Sequence, residues 1–142
     1  MKVINRLLLP AIIVLATGAA GCCSGYHQQS VDDLNSIKSK QDALLDRYTA
    51  APAADEKQQV NEIRGLYKQT EAREKSVWPW CPGVPKAINL SRQAFDNHVK
   101  ERDQMLSQTP QQFNLPTEIP VLKEDLDRFV DQAIQAVETR KR

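Results

Sequence analysis

The chain has 142 residues, enough for one domain with its own core and too few to require a second. Its 19 Lys and Arg against 18 Asp and Glu create no strong global field, which argues against nucleic acid as a partner. Gly is scarce at 5 residues and aromatics make up 6%, while Gln, Ala, Lys, Glu, Asp and Leu recur, a balance that favours helix over sheet.

Met1 to Arg6 carries Lys2 and Arg6, Leu7 to Ala16 is apolar apart from Pro10, and small residues lead into Cys22 and Cys23. This three-part layout is that of a secretory signal peptide: charges stay on the cytoplasmic side, the apolar run enters the translocon, and small side chains admit the peptidase. A membrane span needs roughly 20 apolar residues, and this run loses hydrophobicity at Thr17 and Gly18. Residues 1–21 are therefore expected to be removed, which takes Lys2 and Arg6 away and changes the formal charge from +1 to −1.

Ala19-Ala20-Gly21-Cys22 resembles the lipobox of bacterial lipoproteins. The resemblance implies that Cys22 receives a diacylglyceryl group, becomes the first residue after cleavage, and carries fatty acyl chains such as palmitate. Cleavage by an ordinary signal peptidase after Ala19 or Ala20 is the competing outcome. Cys23 is a poorer acceptor, because it would place Cys22 directly before the cut. Residue 23 is not Asp, and in Gram-negative bacteria this resembles lipoproteins exported to the outer membrane, facing the periplasm. Residues 22–29 then form a lipidated tether and residues 30–142 the folded domain.

Ser30 is a good helix cap, and Val31, Leu34, Ile37, Gln41, Leu44 and Tyr48 follow at spacings of three and four. Pro52 ends that helix, and Asp55 can cap a second with the stripe Val60, Ile63, Tyr67, Thr70 and Val77, interrupted by Gly65. "WPWCPGVPK", residues 78–86, holds three prolines and reads as a structured connector. A third helix is expected from Ala87 or Ser91 to Ser107, with Ile88, Phe95, Val99, Arg102 and Leu106 on one side and His98 and Met105 beside them. Residues 108–120 form a second proline-punctuated connection, with Phe113, Leu115 and Ile119 lying across the body. The last helix, capped by Thr117, has the widest apolar face: Leu122, Leu126, Phe129, Val130, Ala133, Ile134 and Val137. The pattern predicts an all-α, up-and-down bundle of three to four antiparallel helices.

Chemistry-bearing residues are few. After export Cys23 and Cys81 remain, and a Cys23–Cys81 disulfide would tie the tether to the connector; burial of an unpaired Cys81 is the alternative. Trp80-Cys81-Pro82 resembles the surroundings of thioredoxin-type sites, but the second cysteine that dithiol exchange requires is missing. Among Cys23, His27, Cys81 and His98 no pair but Cys23 and His27, on the flexible tether, has close metal-ligand spacing, and His98 reads as a helix-surface or edge residue. No nucleophile elbow, phosphate-cradling glycine loop or His-Glu-x-x-His motif occurs. No catalytic residue, metal or cofactor is expected. Trp78 and Trp80, two apart in a proline frame, are candidate partner-binding anchors or else plug one end of the bundle. Arg140-Lys141-Arg142 reads as a solvated helix end.

The expectation is a non-catalytic binding or structural module of the cell envelope, held to the membrane by covalent lipid. Its partner would be another envelope protein or peptidoglycan. A small inhibitor, immunity or exclusion protein acting through the Trp-Pro connector is the alternative.

Overall fold

The computed structural model describes residues 27–49, 51–77, 81–108 and 115–141. Four helices carry these residues, with no strand among them: α1 (Gln28–Asp46), α2 (Glu56–Val77), α3 (Gly83–Gln108) and α4 (Leu115–Glu138), the last extended by a 3-10 turn at Thr139–Lys141. Each helix packs on two neighbours, α1 and α3 both lying against α2 and α4. Ser30 meets Glu74 while Arg47 meets Asp55, and Arg64 meets Asp96 while Arg102 meets Glu56, so successive helices run antiparallel. The fold is an up-and-down four-helix bundle.

Helix boundaries follow backbone chemistry, with two departures from the sequence expectation. α3 begins at Gly83 rather than at residue 87 or 91, because Pro85 occupies its third position, where the missing N–H has no intrahelical acceptor to lose. The Lys86 N–H already donates to the Pro82 carbonyl at 3.0 Å. α4 begins at Leu115 rather than after Thr117, so Leu115 and Ile119 belong to the helix; Pro120 removes one i→i−4 hydrogen bond at the start, where the loss is local. Residue 113 lies outside the described residues, as do residues 1–26 with Cys22 and Cys23.

Val31, Leu34, Ile37, Leu44, Leu45, Val60, Ile63, Ile88, Phe95, Val130, Ala133 and Val137 form the core. Each large aliphatic or aromatic side chain buried there contributes on the order of 1.5–3 kcal/mol. One polar layer crosses this core. The Gln41 amide of α1 donates to the Tyr67 hydroxyl of α2 at 2.9 Å, and that hydroxyl lies 2.7 Å from Ser91 Oγ of α3. All three residues are buried, and burial pushes the Tyr67 phenol up to about 12, so it remains a neutral donor and acceptor. Sliding any of these helices by a turn would strand these groups, and the layer therefore specifies register. Among the described residues, no helix is long and apolar enough to cross a membrane.

Candidate functional site

The bundle has two ends of different chemistry. The basal end is formed by the starts of α1 and α3 and the ends of α2 and α4; the distal end is formed by the opposite termini.

At the basal end Glu74 of α2 is 1% exposed. Its carboxylate accepts a hydrogen bond from Ser30 Oγ of α1 and, at 2.5 Å, one from Arg140 Nη2 beyond α4. Ser30, expected as a cap, is thus a buried hydrogen-bond donor, and His27 occupies the N-cap position of α1 without a side-chain cap bond. Arg140, expected as part of a solvated helix end, is 6% exposed; the buried carboxylate draws its guanidinium inward, while Nε and Nη1 have no hydrogen-bond partner among the described residues. Beside this trio Arg73 pairs with Asp33. Burial alone would raise the Asp33 carboxyl, but hydrogen bonds from Arg73 and Gln29 outweigh it and hold the group low.

At the distal end Arg102 of α3 is 3% exposed and donates to both oxygens of Glu56, the first residue of α2, at 2.7 and 3.0 Å. It also donates to the Thr49 carbonyl at 3.3 Å, closing the α1–α2 connection. The guanidinium carbon lies 3.5 Å from the centroid of the Tyr48 ring, a cation–π contact, and Tyr48 stacks on His98 at 5.7 Å. Contrary to the surface position expected for it, His98 is buried, because α3 turns it inward beside Val99. Burial and the neighbouring Arg102 lower its imidazole to about 4. Burial also raises the Tyr48 phenol. Among the described residues Tyr48 Oη and His98 Nε2 have no hydrogen-bond partner, and they border a cavity of about 40 Å³ rimmed by Glu101, Met105, Glu118 and Leu122. Two polar atoms and that volume suit an ordered water.

On the α1–α4 face Lys38 bridges Asp131 at 2.9 Å and Asp127 at 3.7 Å. Burial and the nearby Asp42 raise the Asp127 carboxyl. Among the described residues no three His, Cys, Asp or Glu side chains are grouped as a metal site.

Of the residues singled out in the sequence, Cys81 is 2% exposed, disulfide-bonded, and placed just before α3 at the basal end. Its partner lies outside the described residues, and the chain's other cysteines are Cys22 and Cys23. Cys22, Cys23, Trp78 and Trp80 all lie outside the described residues; the tryptophans belong to the three-residue link from Val77 to Cys81. The Glu74 network was missed, although its signal is present: Glu74 lies four residues after buried Thr70, on the same helix face. No protein-family model, curated protein or solved structure matches the chain.

Proposed function

We propose that the chain is a bacterial envelope lipoprotein, a non-catalytic helical module held by acyl chains on Cys22 at the periplasmic face of the outer membrane. The observation that carries this reading is Ala19-Ala20-Gly21-Cys22, placed after a charged and then an apolar segment and five residues before the N-cap of α1. Each buried methylene contributes about 0.8 kcal/mol, so one chain binds reversibly whereas two or three give stable attachment. The helical body then serves as a surface for an envelope protein or for peptidoglycan.

Mass analysis of the processed protein tests this. The expected N-terminal peptide begins at Cys22 with the added mass of its acyl groups, and Cys22→Ser moves the protein from the membrane to the soluble fraction. Nonreducing peptide mapping is expected to join Cys23 to Cys81. An N-terminus without acyl mass, unchanged fractionation of the serine variant, or a Cys22–Cys81 bridge overturns the reading.

A further inference from the structure

From Cys22 to His27 the chain takes five Cα steps, spanning at most roughly 18 Å when extended. α3, at 26 residues, is about 39 Å long. A lipid on Cys22 therefore keeps the basal end within one short tether of the bilayer, whereas the distal end reaches it only if the bundle lies flat. The disulfide at Cys81 tightens this further. With Cys22 acylated, Cys23 is the remaining cysteine, and a bridge from it to Cys81 seats the residue next to the anchor on the α2–α3 connection.

Charge distinguishes the two ends in the same direction. Lys75, in the last turn of α2, has a side chain 62% exposed and pairs with Glu71 at 2.6 Å, and Lys86, in the first turn of α3, is exposed and has no ion pair among the described residues; Asp32 and Glu138 are exposed at the same end, so the set is balanced. At the distal end the exposed carboxylates Asp46, Asp55, Glu101, Asp103 and Glu118 outnumber the exposed cations Arg47, Lys57 and Lys100. Lipid phosphates repel the acidic excess of the distal end and meet no such excess at the basal end, where Lys75 and Lys86 are the cations within their reach.

We propose that the basal end is a membrane-docking surface: it lies against the headgroups of the phospholipid bilayer that holds the anchor, Lys75 and Lys86 meet lipid phosphates, and the distal end projects away. The inference rests on the lipid-anchor reading. Trp78 and Trp80 are the chain's only tryptophans and link two basal residues, so their fluorescence reports on this end.

The processed, lipid-bearing protein is reconstituted into vesicles of phosphatidylethanolamine and phosphatidylglycerol with ordinary or brominated acyl chains. It is expected to float with both kinds of vesicle and to lose at least half its tryptophan emission in the brominated ones. A Trp78→Phe, Trp80→Phe, Met105→Trp variant, checked for helical circular dichroism, moves the reporter to the distal end and is expected to emit equally in both. Lys75→Glu with Lys86→Glu is expected to reduce the quenching at least twofold while flotation is kept. Flotation without quenching, or quenching from position 105, overturns the docking and leaves the anchor standing. Quenching indifferent to the two lysine changes overturns their contact with phosphate. Failure to float overturns the anchor reading and the docking with it.

Discussion

The two ends of the bundle each bury an arginine–glutamate pair, and they do so differently. Glu74 and Arg140 have side chains 1% and 5% exposed and join the termini of α2 and α4 with Ser30 of α1, leaving part of the guanidinium without partners among the described residues. Glu56 and Arg102 sit at a helix start, where the N-terminal N–H groups of α2 favour a carboxylate, and Glu56 retains 11% of its side-chain exposure. The contrast shows that similar pairs can differ in fragility. Among the described residues the basal pair has only the Ser30 hydroxyl to support it, whereas the distal one has a helix terminus, an aromatic face and solvent to share the charge.

The largest expected effect follows from removing the basal carboxylate. Glu74→Ala leaves Arg140 buried without its counter-ion and should destabilise the protein by about 3–5 kcal/mol in urea unfolding. Glu56→Ala at the distal end should cost less, about 2 kcal/mol, because Arg102 keeps the Tyr48 ring and the Thr49 carbonyl. Equal losses from the two variants would erase the distinction between the ends.

A pH titration separates the ends by a different property. His98 is held neutral in the fold, with its pKa lowered from 6.5 to about 4, so between these values the unfolded chain binds the extra proton. The distal end should therefore lose stability as pH falls from about 6.5 to 4, by about 3 kcal/mol in total, with the effect fully absent above that window. His98→Gln should flatten this stretch. The Asp33 carboxyl at the basal end, held low by Arg73 and Gln29, acts only at lower pH, where its stabilisation is lost as the native group is protonated. The smallest change lies between the ends: Gly65 is exposed in α2 with nothing within 4 Å of an added Cβ, so Gly65→Ala should stabilise by about 1 kcal/mol. Thermal unfolding measures it.

Periodicity made the bundle legible. The apolar stripe of α1 is buried as expected, including its polar member Gln41, and Val60, Ile63, Tyr67 and Thr70 of α2 are buried too. What periodicity could not supply is the partner that makes a polar residue fit inside. Glu74 and Ser91 occupy core spacings, but their acceptability depends on Arg140 and Tyr67, which lie far away along the chain and arrive only when helices pack. His98 and Arg140 were misplaced for the same reason, since side-chain type argued for solvent and tertiary neighbours decided otherwise. The helix starts at Gly83 and Leu115 were obscured by prolines: a first turn accommodates Pro85 and Pro116, and Pro120 costs α4 one hydrogen bond. The proposed anchor stands apart: Ala19-Ala20-Gly21-Cys22 is a local pattern of the kind processing enzymes read, and reading it owes nothing to packing.

The layer of Gln41, Tyr67 and Ser91 has a kinetic corollary. Amide protons flanking it on three helices should exchange with deuterium only through global opening, whereas those in the last turn of α3 should exchange through fraying. A slow-exchanging belt around the waist of the molecule would mark where the chain commits to one alignment during refolding, and where it is last to let go.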